Sequence, residues 1–282
     1  MEQLGVTPVT VYAFNGNNAA EKQDFLATEE PLEIRIEYGP DHQRVIKSLS
    51  VTMRTPGADA DLVRGFLFTE GIIRHPAELQ TVRVVDALPG SQEAGNIVLA
   101  QLDQAATFDM QHLDRHFYTT SSCGVCGKTS IDAVKMAGNC SLVKSPSRTL
   151  NPDIIYTLSD TLRAAQDTFT LTGGLHAAAL FDFSGCLLAI REDVGRHNAL
   201  DKLIGHCTWN NTIPMHDSIL LLSGRASFEL LQKAAMAGIA VVCAVGAPSS
   251  LAVATADAFG ITLVGFLREK RFNLYTRHGG LQ

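Results

Sequence analysis

Cys123-Gly124-Val125-Cys126 is the one close pair among the six cysteines, which stand at 123, 126, 140, 186, 207 and 243. Paired thiols two residues apart suit three kinds of chemistry. A structural zinc site needs four ligands, usually two such pairs. The sequence has no second pair, and His112 and His116 are not at the spacing of a common zinc finger. A thioredoxin-like dithiol should follow a strand and open the first helix of its fold. This pair instead closes a long stretch, Asp103 to Lys128, with little periodicity. The third reading is a sulfur-carrying thiol on a mobile arm. Ser121, Ser122, Gly124 and Gly127 keep the segment small, and Lys128 with a helix expected from Thr129 to Met136 would favour thiolate. That help matters, because a free thiol with a pKa of about 8.5 is mostly protonated at neutral pH.

A second concentration of reactive side chains is Arg191-Glu192-Asp193-Val194-Gly195-Arg196-His197-Asn198. It reads either as a solvated strand–helix corner capped by Asp193, or as a ligand edge carrying Asp193, Arg196 and His197. The turns Ser223-Gly224-Arg225-Ala226-Ser227 and Gly246-Ala247-Pro248-Ser249-Ser250 can offer amides and hydroxyls to a phosphate. Neither is a P-loop or a dinucleotide fingerprint, so each alone reads first as a capped turn. Arg225 makes the first the better anion candidate. Phe266-Leu267-Arg268-Glu269-Lys270-Arg271 is a basic turn between expected strands. It reads as solvated surface unless a nucleotide pocket lies beside it. His176 stands in an apolar run and reads as a satisfied core histidine.

The elements that must position these residues fall into two halves of a 282-residue chain. The chain is 46% hydrophobic and 18% charged, which fits a globular protein and excludes disordered, collagen-like and coiled-coil chains. A net charge of -6 argues against a general nucleic-acid binder. No apolar run is long enough to cross a membrane, and the start of the chain lacks the pattern of a signal peptide. The expectation is a cytoplasmic protein with reduced thiols.

In the first half, the opening 30 or so residues read as loosely ordered, with one short strand at Thr10 to Phe14. Leu32, Ile34, Ile36 and Tyr38 alternate with charged residues as in a half-buried strand, and Leu49, Val51 and Met53 repeat the pattern. Asp59 is expected to cap a helix through Thr69 that ends at Gly71, followed by strands near Val82–Val85 and Ile97–Leu102. Ser145-Pro146-Ser147-Arg148 reads as a linker. It divides a β-rich domain, 1–145, from a second domain, 146–282. There Asn151 and Pro152 start a helix, and short apolar strands then alternate with helices. The fold class is α/β, α+β overall, with a sheet covered on both faces.

Taken together, the motifs resemble the FdhD family of formate dehydrogenase accessory sulfurtransferases. The resemblance rests on Met53-Arg54-Thr55-Pro56-Gly57, Gly65 to Gly71, Phe117 to Lys128, Thr172 to Ala178, Arg191 to Asp201, Ser223-Gly224-Arg225, and Leu263 to Phe266 with Tyr275-Thr276. It implies a cytidine deaminase-like, three-layer α/β/α C-terminal domain with a mixed sheet. It also implies sulfur transfer from an IscS-like cysteine desulfurase to the molybdenum cofactor, in its bis(molybdopterin guanine dinucleotide) form, before insertion into the formate dehydrogenase apoenzyme. Cys123 would carry the persulfide, and Cys126 would assist its release or take part in the exchange. The cofactor would lie against Phe266, Leu267, Arg268, Glu269, Lys270 and Arg271. A homodimer is implied, with no tightly held metal and no nucleic-acid or membrane partner. The alternative is a non-catalytic chaperone that binds the molybdenum cofactor and uses the thiols as a tether. A zinc deaminase fits poorly, because His176 is followed by Ala177-Ala178 and Pro248 by Ser249-Ser250, where that chemistry needs a glutamate and two cysteines.

Overall fold

The computed structural model describes residues 5–85, 95–104, 106, 142–146, 149, 151–209 and 215–279. The chain opens with a hairpin of strands β1 (Val6–Asn15) and β2 (Asn18–Ala27). This corrects the expectation of a loose N-terminus with one short strand. Both strands are exposed on both faces, so no alternation marks them. The turn is nevertheless written in the sequence, as Asn15-Gly16-Asn17-Asn18 with Gly16 at φ 61°.

A four-stranded sheet follows, made of β3 (Glu30–Tyr38), β4 (Val45–Arg54), β5 (Leu79–Val84) and β6 (Ile97–Leu102), in the order β4-β3-β6-β5. Helix α1 (Asp59–Thr69) lies between β4 and β5 in the chain. Asp59 does not cap it as expected. Ala58 holds that position at φ 54°, and Asp59 instead accepts a two-pronged hydrogen bond from buried Arg54, at 3.0 and 3.1 Å.

The second half holds helices α2 (Pro152–Ala164) and α3 (Asp167–Thr172), then β7 (His176–Asp182), β8 (Leu187–Asp193), α4 (Arg196–Trp209) and β9 (Ser218–Leu222). Helix α5 (Phe228–Met236), β10 (Val241–Ala244), α6 (Ser250–Phe259), β11 (Thr262–Arg268) and β12 (Arg271–Thr276) complete it. Asn151 caps α2 as expected, its side chain accepting the Asp153 amide at 2.9 Å. The six strands form one mixed sheet in the order β12-β11-β10-β9-β7-β8. Strands β9, β10 and β11 run parallel, whereas β7 opposes both β8 and β9.

Period-2 alternation divides this sheet between two cores. Ala177, Ala179, Phe181, Ile219, Leu221 and Val241 face α2 through Ile155, Leu158 and Leu162. Ala178, Leu180, Leu220, Leu222 and Val242 face α4, α5 and α6. The result is the expected three-layer α/β/α arrangement around a mixed sheet. The second core continues into the N-terminal sheet, where Leu32, Ile34, Leu62 and Leu67 join Leu200, Leu203 and Ile204.

Helices α1 and α4 cross at two glycines. A methyl group on Gly65 would collide with the Asp201 carbonyl, and one on Gly205 with the Asp61 carbonyl. Only glycine lets these backbones approach so closely. The Gly65-to-Gly71 motif therefore has a packing role. It also supplies Thr69 and Glu70 to a buried network in which the Lys233 ammonium donates to Thr69 Oγ1 (2.9 Å), Glu70 Oε1 (3.1 Å) and both Asp201 oxygens (3.0 and 2.9 Å). Burial opposes the Lys233 charge, but Asp201 and Glu70 overcome it and hold the ammonium protonated.

Candidate functional site

The carboxyl ends of β8, β9, β10 and β11 lie on the same edge of the sheet as the start of β7, because β7 runs against its neighbours. Open α/β sheets bind ligands at such an edge. It gathers most of the described residues singled out from sequence. His176 opens β7 opposite Asp193, the last residue of β8. Ser223, Gly224 and Arg225 follow β9, and Gly246 follows β10. The segment from Phe266 to Arg268 ends β11.

A cavity of about 620 Å³ opens at this edge. It is lined by Leu267, Arg268 and Glu269 from the end of β11, by His176, Ser223 and Val245 from the neighbouring strand ends, and by Ser159, Asp160 and Arg163 of α2, Phe169 of α3 and Gln166 between the two helices. Of the expected binding stretch, only Leu267 to Glu269 line it. Phe266, Lys270, Arg271 and Arg225 do not. Glu269 and Lys270 form the two-residue turn between β11 and β12, and Arg271 begins β12. Arg268 is tied to the edge by its Nη1, which donates to the carbonyls of Val245 (2.9 Å) and Leu267 (3.0 Å).

Phe266 adopts φ 54°, a left-handed conformation rare for an aromatic residue. Its amide donates to the Gly246 carbonyl at 3.0 Å, and the β11–β12 register slips between Gly265 and Arg268. Backbone strain held by surrounding hydrogen bonds is characteristic of ligand-binding segments. Here it aims Leu267 inward, fully buried, and turns Arg268 and Glu269 toward the cavity.

His176 corrects its sequence reading as a core histidine. It is half-buried, lines the cavity, and sits so close to Gly224 that a Cβ there would be 3.3 Å from its Nδ1. Burial first, and then the electrostatic influence of Arg196 and His197, holds its pKa below the ordinary 6.5. The residue opens a strand. The helix starts at this edge carry Arg196-His197-Asn198 and Ser227-Phe228-Glu229 instead. Among the described residues, no three His, Cys, Asp or Glu side chains are grouped to hold a metal ion.

The charged run at 191–198 divides in two. Asp193 is fully buried, and its oxygens are taken by Lys202 Nζ (2.7 Å), Asn198 Nδ2 (3.2 Å) and the amides of Gly195 (2.8 Å) and Thr55 (3.2 Å). That saturation leaves it a structural role. Arg196 and His197 lie in the first turn of α4, and His197 Nε2 is 2.6 Å from Glu229 Oε2 on α5. The amides of the second glycine turn are also spent on structure, since Gly246 donates to Gly224 and Ser249 to Ala226. Cys123 and Cys126 lie outside the described residues, as do the expected helix at 129–136 and His112 and His116.

Sequence reasoning missed the α2–α3 wall. Helix α3 is only six residues long, and its first amides are capped from outside: Glu192 of β8 accepts from Thr168 (3.1 Å) and Phe169 (3.0 Å). No local pattern announces a helix capped by a tertiary partner. The i,i+3 spacing of Asp160 and Arg163 on α2 was the one available signal.

The fold and its edge define a mixed α/β protein with a ligand cavity at the carboxyl ends of its strands. Residues 27–282 match the FdhD/NarQ family, and the chain belongs to it. It is 49% identical over 260 residues to proteins named sulfur carrier protein FdhD from Mycobacterium tuberculosis and Mycobacterium bovis, covering 91% of each chain. A protein of the same name from Picrophilus torridus is 45% identical over 254 residues, with 90% of both chains covered. The fold is shared with a crystal structure described as a formate dehydrogenase accessory protein, from Desulfotalea psychrophila. The TM-score is 0.68 at 20% identity, over 96% of this chain and 97% of the other.

Proposed function

We propose that this protein is a sulfurtransferase that carries persulfide sulfur from a cysteine desulfurase to the molybdenum cofactor before that cofactor enters formate dehydrogenase. The kinship with sulfur carrier proteins, across nearly the whole chain, carries this reading. The Cys-x-x-Cys pair supplies the chemistry it requires. Cys123 thiolate attacks the outer sulfur of the desulfurase persulfide, giving Cys123–S–SH and a desulfurase thiol. At the cofactor, the outer sulfur leaves at the sulfide level. The two electrons come from the sulfurs of Cys123 and Cys126 as they join in a disulfide, and the two thiol protons leave with the displaced oxygen as water.

The cofactor, as bis(molybdopterin guanine dinucleotide), is cargo, held at the strand edge. The 620 Å³ cavity is of ligand-binding size, and Arg268 presents a positive charge at its wall. Lys270 and Arg271, exposed on the adjoining hairpin, would meet phosphates outside the cavity. Arg225, exposed on the turn after β9, would do the same.

Mass spectrometry after incubation with a desulfurase and cysteine tests the transfer. Wild type should gain 32 Da on Cys123, and Cys123→Ala should gain none. Equal sulfur loading of the variant overturns the mechanism. A Cys123→Ser protein that binds cofactor yet leaves formate dehydrogenase inactive separates sulfur transfer from the chaperone reading, which predicts full activation.

A further inference from the structure

Strands β1 and β2 form a two-stranded ribbon with no third strand paired to either edge among the described residues. A hairpin of two strands is marginally stable at best in water, so a long one calls for a partner surface. Its base is fastened. The Thr28 amide donates to the Gly5 carbonyl at 3.0 Å, and the Thr7 and Thr28 hydroxyls share a hydrogen bond at 2.8 Å. Beyond the base, residues opposed across the ribbon, such as Tyr12 and Glu21 or Pro8 and Phe25, share a face, and successive residues alternate. Tyr12, Phe14 and Phe25 therefore stand on one face. They are 70%, 76% and 43% exposed. Scattered apolar residues on a surface are ordinary, but three aromatic rings on one face of an unsupported ribbon mark an interaction site.

Charge and area say what covers that face. Glu21 is its only charged residue, whereas Lys22 and Asp24 belong to the other side. Two copies of the face can thus meet about a two-fold axis without opposing rows of like charge. The three rings leave roughly 400 Å² in water per copy, taking about 200 Å² for a whole aromatic side chain. A pair would cover roughly 800 Å² with the rings alone, and exposed Pro8, Thr10 and Gln23 on the same face add enough to reach the ~1,000 Å² of a specific interface. The base of the ribbon leads to the cavity. Strand β2 packs on α3, and the Ala27 Cβ lies 3.6 Å from the place that a Cβ on Gly174 would take. Helix α3 has six residues, too few to hold itself in water, and its Phe169 lines the cavity.

We propose that the aromatic face of the β1–β2 ribbon packs against the same face of a second copy of this chain, and that the contact steadies α3 and with it one side of the cavity. The family resemblance implies a homodimer but gives no surface for it. The ribbon provides one, and it makes the order of the cavity depend on assembly. Tyr12 and Phe25 act as anchors on the two strands, and Phe14 extends the contact to the tip. This inference stands independently of the sulfur-transfer reading.

Sedimentation equilibrium of the full-length protein, joined to hydrogen exchange at α3, tests this. Wild type should be a dimer at micromolar concentration. Tyr12→Glu and Phe25→Glu, one on each strand of the face, should each raise the dimer dissociation constant about a hundredfold, as expected when an aromatic anchor of an interface is lost. Both side chains are exposed, so their replacement leaves the core intact. Ala13→Glu puts the same charge on the opposite face of β1 and should leave the dimer as it is. The Thr170 and Gly173 amides, bonded to the Gln166 and Phe169 carbonyls at 3.0 and 2.7 Å, report on α3. Their exchange should quicken about tenfold in the monomeric variants, as local stability falls. A dimer that survives both aromatic variants overturns the proposal, and so does an Ala13→Glu protein as monomeric as Tyr12→Glu. A monomeric wild type also overturns it. If that monomer activates formate dehydrogenase and its Tyr12→Glu variant does not, the face belongs to a client protein instead. Equal α3 exchange in dimer and monomer rejects the link to the cavity.

Discussion

The Lys202 ammonium lies 2.7 Å from the Asp193 carboxylate, where neither side chain is more than 2% exposed. Lys202 also donates to the Thr55 carbonyl at 2.7 Å, and Asp193 accepts the Thr55 amide at 3.2 Å. The backbone amide and carbonyl of Thr55, the residue after β4, are thus both bound to the α4–β8 corner. Arg54, next to it, is held by Glu30 (3.1 Å), Asp59 and Asn96 (3.0 Å). The Met53-to-Gly57 motif therefore acts as a clamp between the N-terminal sheet and the edge that carries the cavity.

Removing one partner of that pair leaves a buried charge without compensation. Lys202→Met should lower unfolding stability by about 3–5 kcal/mol, whereas the double variant Lys202→Met/Asp193→Asn should recover part of the loss. Urea denaturation of the single and double variants measures both. Equal losses in the two would show that the charges are not coupled.

The crossing of α1 and α4 makes a steric prediction. Gly65→Ala and Gly205→Ala must push the helices apart, since each new methyl meets a backbone carbonyl that cannot swing away. A loss of about 3 kcal/mol or more is expected for each. Gly16→Ala is the control. Its φ is +61° but nothing lies within 4 Å of the added carbon, so only the left-handed backbone cost of about 1–2 kcal/mol applies.

Much of this frame is legible in the sequence, and the exceptions have physical causes. The central strands of the second half stand out because they are buried on both faces and read as short apolar runs, as Ser218–Leu222 does. The β1–β2 hairpin escapes because it buries almost nothing. The 191–198 run reads as a strand–helix corner, and α4 begins inside it at Arg196, so Arg196 and His197 are helical residues. The sequence reads Phe266 to Arg271 as a turn between strands. Strand β11 continues to Arg268 through a left-handed residue that no propensity foretells. The cavity is the least legible feature, because its lining comes from elements about a hundred residues apart, and only the folded sheet brings Asp160 and Arg268 to one cavity.

The His176 imidazole ties cavity chemistry to pH. Its pKa is depressed in the folded protein, by burial first and then by Arg196 and His197, with Asp193 opposing. The unfolded chain therefore binds the proton first as pH falls below the ordinary value of 6.5. The neutral ring's contribution to stability is complete above that value and is lost as pH drops through the window beneath it. His176→Gln should flatten the dependence of stability on pH across this window. A midpoint below 6.5 in the imidazole NMR titration would show the depressed value directly.

The described cysteines should separate by reactivity. Cys243 is fully buried in β10, and burial pushes its thiol up to about 12. Cys207 is 3% exposed on α4. Cys186 is exposed at the turn between β7 and β8. Iodoacetamide at pH 8 should label Cys186 in the native protein and reach Cys243 only on unfolding. Peptide mapping after timed exposure reads the order, and rapid native labelling of Cys243 would contradict its burial.

The strain at Phe266 can be measured apart from the loss of its ring. Phe266→Ala and Phe266→Gly both delete the aromatic group, so their difference reports the backbone alone. In most positions alanine is the more stable of the two, because glycine loses more chain entropy on folding. At φ 54° the order should reverse, with the glycine protein more stable by about 1 kcal/mol. Thermal unfolding of the two variants decides it. An alanine protein at least as stable as the glycine one would mean that Phe266 carries no left-handed strain. In that case the slip in the β11–β12 register, and not the residue's conformation, would be what turns Arg268 to the cavity. If glycine wins, the left-handed backbone at 266 is held against a cost by the contacts around it, among them the hydrogen bond from its amide to the Gly246 carbonyl.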